Sequence, residues 1–282
     1  MNALIIGKGI AGTARGKVYH HLDGSNCTFV SRRESPIFVD DLYQSIDCVH
    51  VCTENASHFE IIQYIVQHHQ LHVCVEFPMT NALWQTQKLY ELAQENNCIL
   101  HCAFISLLSE SHSSFKIYVQ THIQQIEHVR LSFQGGMKTW LLEEHRQGNW
   151  GVLASSRLMS LLHIFGDLSI QDVDFASTDF SYSMNVHLSH KNIKIILSES
   201  RKIDQKRETC WYINHELLSP MASNTIKEQQ PKQRKSLFME DTMSFHNMIT
   251  GKGNPYVSKE EIIAVHRMSE KIQMIINKKY NL

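Results

Sequence analysis

The chain has 282 residues, a length that suits one large or two medium domains. Apolar residues make up 43% and charged residues 20%, within the ordinary globular range. A formal net charge of −1 gives no global electrostatic case for nucleic acid or an anionic membrane surface. No apolar run approaches the ~20 residues of a transmembrane helix. No basic leader with a cleavage site precedes the first strand pattern, so no signal peptide is expected and the location read from the sequence is cytoplasmic.

Ala3 to Ile6 is a short apolar run that leads directly into Gly7-x-Gly9-x-x-Gly12. A strand followed by this spacing is the setting in which the pattern means dinucleotide binding. Gly7 permits the tight turn, Gly9 lets backbone approach a pyrophosphate, and Gly12 allows close packing of the next helix. The N–H groups that open that helix, at Ile10, Ala11 and Gly12, favour an anion. Arg15, one turn further on, is a candidate phosphate contact. Cys27–Val30 reads as a second buried strand, and Ser31-Arg32-Arg33 follows it where ribose selection is made. Two guanidiniums and a hydroxyl suit a 2′-phosphate, so NADP(H) is expected over NAD(H). Glu34 follows at once, so NADH stays open as a second cofactor.

Further strand patterns lie at Cys48–Cys52, His72–Val75 and Cys98–Cys102. Helical patterns lie between them at Gly12–Leu22, Ser57–His69 and Leu83–Asn96. Alternating strand and helix predicts right-handed βαβ units and a doubly wound parallel Rossmann domain over 1–105. Residues 106–282 read as an α+β domain with a large antiparallel sheet. Residues 107–125 are helical. Alternation then marks strands at 129–133, 173–175, 184–188, 193–197 and 209–213, interrupted by a helix from Arg157 to Phe165 that ends at Gly166. Residues 223–236 read as an exposed loop. Ser258-Lys-Glu-Glu261 fits a capping box opening a helix through Lys278, the element that would pack back on the first domain. The open face of such a sheet suits a flat ligand or a partner copy in a homo-oligomer, and alternation does not choose between them.

Seven cysteines, mostly in strand patterns, read as reduced thiols rather than a disulfide framework. Cys98 and Cys102 flank His101, but the segment reads as a buried strand and no metal is expected. The 18 histidines form no HExxH or paired Cys/His spacing.

Gly7–Arg15, Phe29–Glu34, Val51–His58, His72–Thr80, the helix through Leu89–Ala93 and Ser156–Ser169 together resemble the glucose–fructose oxidoreductase/inositol dehydrogenase superfamily. More closely they resemble its biliverdin reductase branch. The likeness covers about residues 3–170 and fades after about 200. It implies that Thr53, Glu54, His58, Glu76 and Phe77 join the cofactor site. Sugar dehydrogenases of the superfamily have Glu-Lys-Pro where this chain has Glu76-Phe77-Pro78. They also carry Asp and His where it has Ser155 and Met159. Oxidising an alcohol needs a group that takes up its proton, and Phe77 and Met159 have none. The reductase branch tends to have Tyr at Phe77.

The resemblance implies NADPH-dependent reduction of a linear tetrapyrrole, with hydride added at the central methine bridge and a proton at a pyrrole nitrogen. Such a substrate is flat and carries two propionates. Arg157 is the first candidate, binding a propionate or holding a proton-delivering water, against the alternative of a structural pair with Asp167. Glu76 is the second catalytic candidate. Phe77, Lys138 and Arg146 are candidate substrate contacts. A reductase of another conjugated or imine-type small molecule, and an NADP(H)-binding regulatory protein without turnover, remain alternatives.

Overall fold

The computed structural model describes residues 1–31, 37–137, 139–218 and 236–281. Two compact units emerge. The first comprises Met1–Leu108 and the segment that ends at Ile263, and the second holds the remaining described residues.

In the first unit, β1 (Asn2–Ile6), β2 (Asn26–Val30), β3 (Cys48–Val51), β4 (His72–Glu76) and β5 (Leu100–Ala103) form one sheet in the order β2-β1-β3-β4-β5. Every pairing is parallel. The strands are apolar because both faces are covered: Leu4, Ile5, Ile6, Val49, Val51, Val73 and Val75 are all fully buried. α1 (Ile10–Tyr19), α2 (Asn55–Tyr64) and α3 (Leu83–Glu95) connect them. α2 widens into a π-helical turn over Ile65–His69 and stops at Gln70, which is left-handed with φ 53°. The reversal of strand order at β1/β3 and the glycine-to-helix entry are those of a doubly wound, Rossmann-like sheet.

The first unit also contains a helix that periodicity did not reveal, α7 (Leu237–Ile249). Ser236 caps it, accepting a bond from the Met239 N–H at 3.1 Å. The capping box is present as spaced: the Ser258 N–H donates to Glu261 Oε2 at 2.8 Å and the Glu261 N–H to Ser258 Oγ at 3.1 Å. The helix it opens, α8 (Lys259–Tyr280), has its first residues in the first unit and the rest in the second.

The second unit is built on six strands: β6 (His128–Gly136), β7 (Ser169–Thr178), β8 (Ser181–His190), β9 (Ile193–Lys202), β10 (Glu208–Ile213) and β11 (Glu216–Leu218). Their order is β11-β10-β6-β9-β8-β7. The expected large antiparallel sheet is present, with one parallel pairing within it, between β6 and β9. Period-two alternation reports which face is buried and carries no strand direction. One face is covered, and Phe115 of α4 (Glu110–His122) stacks on Trp211 with ring centroids 3.9 Å apart. α5 (Thr139–Arg146) precedes α6 (Trp150–Phe165), which starts earlier than the sequence suggested. Gly151 explains the close seat of its first turn, since a Cβ there would overlap the Ser269 carbonyl. Gly166, with φ +76°, ends it.

Burial holds His266 of α8 well below the usual imidazole range, at about 4. The native ring is neutral where the unfolded chain takes up a proton, so stability rises with pH across the window from about 4 to 6.5. Urea unfolding of the wild type loses stability on acidification through that window. His266→Phe should flatten the loss by roughly 2–3 kcal/mol. An unchanged pH slope in the variant contradicts the assignment.

Candidate functional site

The turn after β1 is shaped by its glycines. Gly7 has φ +112°, and a Cβ on it would meet the Cys52 carbonyl at 2.5 Å. A Cβ on Gly12 would overlap the Gly7 carbonyl, and one on Gly16 would enter the Phe29 ring. Gly9 is different: a Cβ there meets nothing within 4 Å, and Ile10 beside it is 79% exposed. Gly9 is the N-cap of α1 and no side chain caps the helix. An open backbone face, uncapped N–H groups and no acidic residue in the first turn fit a dinucleotide pyrophosphate. Ser31 sits half-buried at the end of β2. Arg32 and Arg33 lie outside the described residues.

Arg15 does not stand where a phosphate would lie. Its side chain is fully buried, with Nη2 at 2.6 Å from Glu76 Oε1 and 2.7 Å from Asp241 Oδ2. Nε donates to Glu76 Oε1 at 2.7 Å. The sequence could not show that α7 supplies a carboxylate to Arg15. Burial works against the charge on Arg15, but the surrounding carboxylates hold it on, with the pKa above the ordinary arginine range. Burial would likewise raise Asp241, yet Arg15, His101 and Tyr256 keep it well below the carboxylate range. His101 Nε2 is 2.8 Å from Asp241 Oδ1, and the Tyr256 hydroxyl donates to the same oxygen at 2.6 Å. Beside this network the Tyr19 hydroxyl lies 2.7 Å from Nε2 of both His50 and His246. Two sets of ligating atoms gather here, Cys48/His50/His246 and Cys74/His101/Asp241. The hydrogen bonds and ion pairs just described already engage the histidines and the carboxylate.

Glu76 ends β4 with its side chain 20% exposed and its carboxylate fixed by Arg15. Phe77 packs its ring against Phe104 at 3.8 Å between centroids. His58 is fully buried and pins the chain rather than facing a ligand: Nδ1 is 3.0 Å from the Pro78 carbonyl and Nε2 3.1 Å from that of Thr53. Burial lowers its pKa, although both carbonyls favour the protonated ring. Thr53 Oγ1 accepts from Ser57 Oγ at 2.8 Å, and Glu54 is exposed at the N-cap of α2.

In the second unit Arg157 lies in the middle of α6, not at its start. Its guanidinium sits over the Phe133 ring, 3.9 Å from the centroid. Arg201 and Arg207 approach the same ring at 4.6 and 5.8 Å. Sequence reasoning missed both. The signal was present: Glu199 and Arg201 continue the buried register of Ile193, Ile195 and Leu197 along β9, where an apolar residue is the default. Glu199 accepts from Arg201 Nε at 2.7 Å and from the Tyr182 hydroxyl at 2.9 Å. Arg157 donates to Ser156 Oγ at 2.8 Å, not to Asp167, and its buried Nε has no hydrogen-bond partner among the described residues. Burial, with Arg201 and Arg207 nearby, pushes the Arg157 pKa down, opposed by Glu199. Three guanidiniums gather at one ring while Glu199 is paired with Arg201, a cationic cluster that suits an anion.

Arg146 is exposed and lines a separate hollow of about 620 Å³ with His145, Trp150 and Ser177–Phe180. Lys138 lies outside the described residues. Ser155 and Met159 are buried in α6, so neither offers a reacting group. His163 meets Lys116 Nζ at 3.0 Å.

Residues 1–104 match the oxidoreductase family with an NAD-binding Rossmann fold. Human biliverdin reductase A is 31% identical over 181 residues, a match that spans 59% of this chain and 59% of the human protein. Mouse biliverdin reductase A is 29% identical over 208 residues, 67% of each chain. Among solved structures, biliverdin reductase from Synechocystis, in complex with biliverdin and NADP+, superposes with a TM-score of 0.73 at 18% identity, covering 97% of this chain and 98% of that one. A probable dehydrogenase from Thermotoga maritima superposes with a TM-score of 0.77 at 13% identity, covering 99% and 97%. At these identities the structural likeness shows the fold.

Two glycine variants separate the roles of the turn. Gly12→Ala should cost about 1–3 kcal/mol of stability through overpacking. Gly9→Ala should leave stability within about 0.5 kcal/mol but weaken NADPH on the order of tenfold, because the new methyl stands on the phosphate side. Unfolding midpoints and fluorescence titration read the two effects. Unaltered NADPH affinity in Gly9→Ala contradicts the placement of the pyrophosphate.

Proposed function

We infer that this chain, a biliverdin-reductase-like member of the oxidoreductase family with an NAD-binding Rossmann fold, reduces biliverdin to bilirubin with NADPH. The observation that carries the reading is the cluster of Arg157, Arg201 and Arg207 around Phe133, with Glu199 as its carboxylate. An apolar ring bordered by guanidiniums suits a flat substrate with propionates, since arginine binds carboxylates through paired charge-assisted bonds. The superfamily's alcohol chemistry is disfavoured by Phe77 and Met159, which have no proton-accepting atom.

Gly7, Gly9, Ile10, Ala11 and Gly12 would hold the pyrophosphate at the start of α1, and Ser31 with Arg32 and Arg33 the 2′-phosphate. NADPH, when bound, supplies the hydride. The chain's own residues do the rest. Arg157 holds a propionate or orients a water that delivers the pyrrole proton. Arginine is itself a poor donor, because its pKa exceeds ~12. Arg201 is anchored by Glu199 and extends the cationic rim, with exposed Arg207 at its outer edge. Glu76, fixed by Arg15, offers a carboxylate oriented at the end of β4, the end at which parallel α/β sheets bind ligands. Phe77 and Phe104 give that end an apolar wall and exclude water from it.

Absorbance tests this directly. Biliverdin with NADPH should lose the long-wavelength verdin band and gain the rubin band near neutral pH. Arg157→Ala should lower the turnover number while NADPH affinity stays within about twofold; a pure propionate anchor would chiefly raise KM. Protein that binds NADPH yet leaves biliverdin unchanged from acidic to neutral pH overturns the reading.

A further inference from the structure

The open face of the second unit's sheet carries a hollow that the reductase reading does not use. Its volume is about 890 Å³, within the range of small-molecule sites. Strand register shows how it is floored. Tyr212, Arg130, Ile196 and His187 lie side by side across β10, β6, β9 and β8. The next row is His128, Lys194 and Ser189. Residues two apart on a strand share a face, so both rows point the same way, opposite to buried Val129, Leu131, Ile195 and Leu197.

The charges here are of one sign. Arg130, Lys191 and Lys194 line the hollow with His128, His187 and His215, and no Asp or Glu is among the lining residues. Among the described residues Arg130 donates to the neutral Ser198 Oγ, at 3.1 Å, and has no ion pair. His187 is already paired, with Asp174 Oδ2 at 2.8 Å. The ammonium groups of Lys191 and Lys194 have no ion pair with any described carboxylate. Lys191 stands at the β8–β9 turn with φ 51°, at the rim. Tyr212 and Ile196, both half-buried, flank Arg130 and give the floor an apolar surface on each side of the cation.

We propose that this hollow binds a flat, apolar-bodied carboxylate, with Tyr212 and Ile196 under the apolar body and Arg130, Lys194 and Lys191 around the carboxylate. A flat sheet floor suits a planar body, and cations at its centre and rim select the anion over a neutral analogue. The hollow lies entirely in residues 128–215 and shares no lining residue with the Arg157 cluster. The inference therefore stands independently of the reductase reading.

Fluorescence titration of the full chain with pyrenebutyrate, against its neutral counterpart pyrenebutanol, tests it. The wild type should bind the carboxylate about tenfold more tightly than the alcohol, the low end expected for partly exposed charge-assisted bonds. Arg130→Glu with Lys194→Glu should abolish that preference while NADPH binding persists, which shows the chain is folded. Lys191→Glu, an exposed turn change, should weaken pyrenebutyrate severalfold if the double variant misfolds. Arg157→Ala should leave the preference intact. Equal binding of acid and alcohol, no binding of either, or a preference that survives the Glu variants and is lost in Arg157→Ala would each overturn the proposal. So would sedimentation with phosphatidylglycerol vesicles in the absence of pyrenebutyrate affinity, which would point to a bilayer surface instead.

Discussion

A single buried guanidinium organises the first unit. Arg15 bridges Glu76 at the end of β4 and Asp241 on α7, and its Nη1 also reaches Thr242 Oγ1 at 3.4 Å. Taking such charges out of water costs several kcal/mol each, and only well-aligned partners offset it. Asp241 meets that condition through His101 and Tyr256, and Tyr256 also accepts the Phe104 N–H at 2.9 Å. The two helices α1 and α7, the strands β4 and β5 and the β5 exit loop are thereby fixed to one another by polar geometry and not by apolar area alone. The same contacts set the orientation of Glu76, so a carboxylate at the candidate site depends on a network behind it.

Much of the fold was legible because it rests on local patterns. The five parallel strands announce themselves as apolar runs, the glycine spacing as a turn, and Ser258 with Glu261 as a helix start. α7 was not legible. Its role comes from Asp241 meeting Arg15, and Arg15 and Thr242 lie 227 positions apart. No local period encodes such a pairing. Arg15 was misread for the same reason: a cation one turn past the glycines looks like a phosphate ligand until its carboxylates are in view. In the second unit, alternation located the strands and the covered face. It could not report that β6 and β9 run parallel, because direction depends on the intervening chain.

The candidate site divides along the same line. The glycine turn was readable residue by residue, since each glycine answers a separate steric demand. Of the arginines around Phe133, only Arg157 was found in advance. Arg201 and Glu199 were concealed by the assumption that a strand's buried register is apolar, and the charged pair in that register is what marks the site. Polar residues that break an apolar pattern repeatedly mark structure in this chain: Arg15 in α1, His101 in β5, Glu199 in β9. Arg15 and His101 are matched by partners distant in sequence and Glu199 by Arg201 and by Tyr182 on the neighbouring strand, and each lies at or behind a surface proposed to do chemistry.

The claim that Arg15 is an internal counter-ion, not a phosphate ligand, is the one on which the first unit's description turns. A double-mutant cycle on Arg15→Met and Asp241→Leu, read by urea unfolding, tests it most directly. Each single change takes one ion-pair partner from a buried charge, leaving Arg15 with Glu76 alone or Asp241 with His101 and Tyr256, and should cost about 3–5 kcal/mol, whereas the double variant should lie closer to the wild type than the two single costs summed. Strictly additive costs, or an Arg15→Met variant that keeps its stability and loses only NADPH affinity, would contradict the account.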